Sequence, residues 1–291
     1  MKGTKARTAL AATLLAWSFA TAAQDAVVEA VQMPAWMERD GVVVPLAPGT
    51  ALTARDAVRT GANARLLVRL SEGSSVKLGE NGVLHLDEIV TRKDDGVFAA
   101  ALNVLQGAFR YTTAILQKSR RRDITITVAT VTAGIRGTDL WGKAASDKDI
   151  VCLIEGDIEV TRGTDAPIRM DQPKSFFVAP KGQAPLPVAP VTDAQLAQWA
   201  AETEIEAGRG AARRGGSWKV ILASGESENE VLKVYEAVRA AGFAAELDAR
   251  RRAGRRDYTV QIASLPSETE ARALADRLAG QYGVGTPRVA P

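Results

Sequence analysis

The chain has 291 residues, 46% of them hydrophobic, 5% aromatic and 24% charged, with a formal net charge of +3. That length leaves room for two domains with separate cores. A single cysteine excludes an intrachain disulfide, and a single histidine leaves His/Cys metal clusters and Ser-His-Asp triads poorly supplied.

Residues 1–23 read as a cleavable signal peptide. Lys2, Lys5 and Arg7 form a basic start, and "ALAATLLAWSFA" (9–20) a short apolar stretch. "ATAAQD" (20–25) then supplies small residues suited to cleavage after Ala22 or Ala23. The apolar run is short for a transmembrane helix, so export is the expectation. Membrane contact follows only if the segment stays uncleaved as an anchor. No cysteine marks a lipoprotein site. Removal of the three basic residues brings the net charge from +3 to zero. Nucleic acid thereby loses its electrostatic support as a partner.

Residues 24–190 read as one all-β domain. "GVVVPLA" (41–47), "ARLLVRL" (64–70), "SSVKL" (74–78) and "VLHLDEI" (83–89) are short apolar runs separated by Gly turns. In "ITITV" (124–128) isoleucine alternates with threonine, the period of a half-buried strand. The pattern fits a sandwich, a roll or a solenoid. His85 sits in a strand and Cys152 in an apolar run, where a buried, inert thiol is expected. Asp87 and Glu88 are adjacent on a strand, so alternation should point them to opposite faces, unable to flank one bond.

"TAGIRGTDLWG" (132–142) has the look of a phosphate loop. Such loops lead into a helix N-terminus, whereas β sequence lies on both sides here. The expected role is a structural corner: Gly134 and Gly137 allow the bend, Arg136, Thr138 and Asp139 hold it, and Trp141 packs beside it. The sequence supplies no metal or cofactor motif.

Residues 191–216 should form a helix and a flexible linker. In "TDAQLAQWAAETEIEA" (192–207), Thr192 and Gln195 make a capping-box pattern, and "GRGAARRGGS" (208–217) is Gly-rich and basic. Residues 217–291 contain an internal repeat at an offset of forty residues. Trp218 matches Tyr258, Ala223-Ser224 matches Ala263-Ser264, and Ser227-Glu228 matches Ser267-Glu268. Each half predicts strand, turn, helix, strand, with apolar stripes at Val231, Val234 and Val238, and at Ala271, Leu274 and Leu278. Together they predict an α+β split βαβ fold, a four-stranded antiparallel sheet with two helices on one face. Val260 and Ile262 must face the helices, so Thr259 and Gln261 point to the open face, with Lys219 and Ile221 beside them. Ser224 and Ser264 lie at strand ends.

"YTVQIAS" (258–264) and, less closely, "WKVILAS" (218–224) resemble the opening strands of a SPOR domain, over about residues 217–291. Ile221 departs from the family's glutamine. The resemblance implies binding of peptidoglycan glycan strands lacking stem peptides through Lys219, Ile221, Ser224, Thr259, Gln261 and Ser264. Residues 49–78, with "VATVTAGIRGTDLWG" and "IVCLIEGDIEV", are similar to a FecR domain, the module named for an iron-transport signalling protein. Those members carry an anti-sigma segment and a transmembrane helix that are not seen here. The two resemblances imply an exported, periplasmic, non-enzymatic envelope protein. In that reading SPOR holds the wall, and the β domain engages an unknown envelope protein or a ligand. The alternative is a component of envelope signalling in which SPOR only localises the protein.

Overall fold

The computed structural model describes residues 25–92, 94, 96–114, 121–135, 137–252 and 255–291. The expected signal segment and Arg136 lie outside them. Two β-sheets enclose a common core, and the chain passes repeatedly from one to the other.

β1 (Ala26–Gln32) opens the first sheet, and β2 (Ala35–Arg39) and β3 (Val42–Pro45) form a hairpin in the second. β4 (Ala51–Leu52) returns to β1, and β5 (Ala57–Thr60) joins β2. β6 (Arg65–Leu70) and β7 (Ser75–Leu78) extend the first sheet, while β8 (Val83–Thr91) extends the second. The 15-residue strand β9 (Phe98–Thr112) belongs to both. Its first half pairs with β8 and its second half with β7, the change falling near Gly107.

From there strands come in pairs. β10 (Arg122–Val128) and β11 (Val131–Ile135) lie in the second sheet, β12 (Asp139–Ala144) and β13 (Lys148–Glu155) in the first. β14 (Ile158–Arg162) and β15 (Ile168–Met170) return to the second, β16 (Ser175–Pro180) and β17 (Ala189–Pro190) to the first. Among the described residues only β9 and β10 pair in parallel. The result is a two-layered roll. Alternation along each strand fills it: Phe109, Leu140 and Val151 from one sheet meet Leu102, Ile126 and Val160 from the other.

The stretch 132–142 is where the chain leaves one sheet for the other. Gly137 carries the turn with φ of +73°, a backbone region costly for residues with a Cβ. Gly134 differs from the expectation. It is an ordinary strand residue of β11, paired with Thr125 and Glu159, with φ outside the left-handed region and open space above it. The backbone N–H of Thr138 donates to Thr113 Oγ1 (3.0 Å), and that hydroxyl donates to the Thr138 carbonyl (2.9 Å). Asp139 accepts two bonds from Arg110, at 2.9 and 2.7 Å. This bidentate pair holds the Arg110 guanidinium above its ordinary range, the hydrogen bond outweighing the cost of burial.

Trp141 turns outward from the first sheet yet is fully buried, because α1 (Asp193–Ala201) covers it. Trp199 stacks on Trp141 with centroids 4.7 Å apart, and Phe176 meets Trp199 edge-on at 5.5 Å. Thr192 caps the helix, accepting from the Gln195 N–H at 3.2 Å. The helix stops at Ala201 rather than continuing to 207. Beyond it Thr203 is buried, and Glu202 and Glu204 reach Lys143 (2.7 Å) and Lys77 (2.5 Å).

The segment expected to be a flexible linker is instead pinned. Ala212 and Arg213 form β18, which pairs with β1. Ala211 and Ala212 are buried, and the Gly208, Gly210 and Ala211 N–H groups all donate to the Glu270 carboxylate, at 2.6, 2.7 and 3.0 Å. Gly210 lies so close to Leu274 that a Cβ would come within 2.9 Å. A basic, Gly-rich composition signals solvation, but here the glycines permit close backbone approach.

The last unit comprises β19 (Trp218–Gly225), α2 (Glu228–Ala240), β20 (Glu246–Arg252), β21 (Arg255–Leu265), α3 (Glu268–Leu278) and β22 (Arg288–Ala290). Its sheet runs β20-β21-β19-β22, antiparallel throughout. Val231, Val238, Ala271, Leu274 and Leu278 bury against Val220, Leu222, Val260 and Ile262. The helix side also docks on the roll. Arg277 donates to the Met33 and Arg209 carbonyls (2.7 and 3.0 Å), and the Ala35 N–H donates to the Gly242 carbonyl (3.0 Å).

Candidate glycan-binding face

Docking through the helix side leaves the opposite sheet face to solvent. On β21 the pattern from Tyr258 to Ile262 alternates buried and half-buried, which places Thr259 and Gln261 outward. On β19, Lys219 and Ile221 are half-buried on the same side. Register joins them into rows. Glu246, Gln261, Ile221 and Arg288 lie side by side across all four strands, and Asp248, Thr259 and Ser224 form the next row.

Two irregularities shape this face. Ser224 lies three positions after Ile221, so simple alternation would put it on the helix side. A bulge between Ile221 and Ala223 restores it to a position opposite Thr259. A second shift opposes Lys219 to both Ala263 and Ser264, and Ser264 takes φ of +65° there. Arg288 Nη2 approaches Ser224 Oγ at 3.4 Å. The face thus presents amide and hydroxyl groups in the middle, carboxylates on the β20 side and cations on the β22 side. Such a surface can exchange hydrogen bonds with the hydroxyl and acetamido groups of a sugar chain.

Glu246, Asp248 and Arg288 did not emerge from the sequence. They sit on strands outside the repeated motif, and only inter-strand register brings them beside Gln261 and Thr259. A basic hairpin tip adjoins the face: Arg250 pairs with Asp248 (2.7 Å) and Arg255 with Glu226 (3.1 Å), both pairs largely exposed.

Elsewhere the chemistry is sparse. Cys152 is buried beneath α1, and desolvation, helped by the Asp139 charge, pushes its thiol up to about 12. His85 is half-buried between Ala57 and Asn103. A bulge at Asp87 overturns the expected alternation and leaves Asp87 and Glu88 both exposed. Among the described residues no cluster of His, Cys, Asp and Glu could hold a metal, and no helix is long and apolar enough to cross a membrane.

Among solved structures, the chain is similar to two crystal structures of a candidate anti-sigma factor from Parabacteroides distasonis. One shares 13% identity at a TM-score of 0.40, covering 50% of this chain and 64% of that one. The other shares 10% identity at a TM-score of 0.40, covering 72% and 99%. A comparison with curated proteins gives no match. Family models match at two places, the FecR protein over residues 56–159 and the SPOR domain over residues 215–287. The chain therefore joins a FecR region, within the two-layered roll, to a SPOR domain formed by the four-stranded sheet and its two helices.

Proposed function

We propose that this chain is an exported, non-enzymatic component of an envelope signalling system. Its SPOR domain holds it on peptidoglycan glycan strands lacking stem peptides, and its FecR region passes a signal to an envelope protein partner. The observation that carries this reading is the way the two units are joined. Arg277, Glu270 and the Ala35–Gly242 bond fasten the helix side of SPOR to the roll. The candidate sugar-binding face stays clear of that contact. A module meant only to tether a free partner-binding domain needs no such fastening. One meant to couple wall contact to the state of a FecR domain does.

Lys219, Ile221, Ser224, Thr259, Gln261 and Ser264 are the proposed glycan contacts, with Glu246 and Arg288 extending the Gln261 row. Ile221 is the apolar member, suited to packing under a sugar ring rather than to hydrogen bonding.

The test uses the full mature chain and purified sacculi, before and after amidase removal of stem peptides. Binding should increase after amidase treatment. It should fall about tenfold in a Thr259→Ala, Gln261→Ala double variant, as the loss of two hydrogen bonds of about 0.5–1.5 kcal/mol each requires. Absence of binding to treated sacculi overturns the wall reading. For signalling, deletion of the gene should abolish a transcriptional response to envelope stress. A normal response in the deletion strain would leave a wall-held interaction module, the other reading of the FecR region.

A further inference from the structure

Five charged residues among those described are buried along their whole length, backbone included, and four of them have their counter-groups in place. Asp56 accepts two bonds from Arg39, at 2.7 Å each, and Asp149 accepts from Lys181 (2.6 Å) and Thr130 (2.6 Å). Glu72 accepts from the Ser74 N–H and lies 3.8 Å from Arg122, while Glu270 binds three backbone N–H groups. Arg65 is the fifth. It is 8% exposed, donates from Nη1 to the neighbouring Ala64 carbonyl (2.8 Å), and has no carboxylate within ion-pairing distance among the described residues. Its buried Nε has no hydrogen-bond partner among the described residues. A buried charge is normally paired, and leaving one unpaired is costly.

Arg65 lines a cavity of about 650 Å³ at the end of the roll, where β9 changes sheets. The other walls describe what could fill it. Lys143 is already neutralised by Glu202 at 2.7 Å, and Glu80 is present as a second acid. The lining thus carries two cations and two carboxylates and is neutral overall, so only a single charge seated on the unpaired Arg65 guanidinium itself is favoured, and a dianion or a polyanion is repelled. Asn81 and Gln106 offer side-chain amides, the complement of a peptide group. Ala144 and Ala145 leave space beside Leu105, which is 45% exposed, so an adjoining side chain would be small and apolar.

We propose that this cavity binds the free C-terminal carboxylate of a protein tail, with Arg65 receiving the carboxylate, Asn81 and Gln106 the last peptide groups, and the alanine wall a small apolar final residue. A guanidinium offers two parallel N–H groups to a carboxylate, which adds geometric selection to the charge. Wall stem peptides also end in carboxylates. However, the proposed role places this chain on glycan from which stem peptides have been removed, and to that extent the choice of a protein tail rests on that role.

The experiment needs no glycan, so its outcome is independent of wall binding. A fluorescein-labelled hexapeptide ending in Ala-Ala is titrated against the full mature chain by anisotropy, up to millimolar concentration. It is compared with its C-terminal amide and with a version ending in two D-alanines. The free L-acid should bind at least tenfold more tightly than the amide. Arg65→Met should abolish the difference. Ala145→Phe, which fills the cavity from a half-exposed turn and leaves Arg65 in place, should abolish binding with an unchanged melting temperature. It serves as the decisive variant if Arg65→Met melts early. Equal binding of acid and amide, no binding by the wild-type chain, or binding untouched by Ala145→Phe overturns the site. Preference for the D-alanyl peptide overturns the protein-tail assignment.

Discussion

Glu270 stands at the third position of α3, behind Ser267, where a glutamate usually folds back to cap its own helix. Here its carboxylate crosses to the Gly208–Ala211 segment and gathers three N–H groups. Glu270→Ala should cost about 3 kcal/mol in urea unfolding, since hydrogen bonds to a charged group contribute about 1.5–3 kcal/mol each and their loss is only partly offset by water. Glu270→Gln should cost about half as much. Local sequence carries no sign of this bond, because its partners are sixty residues away and are backbone groups. Cys152 was readable as buried from its apolar neighbours, and burial has a pH signature. A free thiol ionises near 9.0, while burial raises Cys152 to about 12. Its folded pKa is the higher one, so no penalty applies below pH 9, and stability falls as pH rises from about 9 towards 12. Tyr111, raised from 10.0 to about 12 by burial, adds to the fall from pH 10 upward. Cys152→Ala should flatten the part of this loss between pH 8.5 and 10, as measured by denaturant midpoints at each pH.

α1 and β12 show what periodicity conveys and what it leaves out. The Thr192 cap locates the helix, and Leu196 and Trp199, three residues apart in the sequence, mark its apolar side. They did not say that this side lands on Trp141, a residue that alternation alone would leave on an outer sheet face. Trp199→Ala should therefore destabilise the roll by about 3 kcal/mol, near the lower end for removing an indole. It should also expose Trp141, seen as a red shift of its fluorescence. In the SPOR domain both repeats were legible because strand and helix periods are distinct. The bulges at Leu222 and near Ser264 were not, since each depends on how two strands are registered. Those bulges decide which serines share a face with Gln261, so the face was only partly legible. The choice among sandwich, roll and solenoid was open for the same reason: turn spacing says that strands reverse, not which sheet they enter.

At the scale of the molecule, the docked helix side joins the roll and the SPOR domain into a single body. The full mature chain should unfold in one calorimetric transition, and Arg277→Ala should separate it into two while making the 208–217 segment a protease target. Composition pointed the other way, toward a loose joint. Small residues that look like spacers in sequence become, in three dimensions, the places where backbones can touch.

The pairing of β1 bears on how such a chain matures. One side of this first strand meets β6. On its other side β4 and the turn before it cover only Ala26 to Val28, and Ala30 and Val31 wait for Ala212 and Arg213. A chain that emerges N-terminus first thus holds an open strand edge until most of its length has appeared, and such edges recruit strands from other molecules. A version ending at residue 207 would keep that edge permanently. It should self-associate in light scattering at concentrations where the complete chain stays monodisperse.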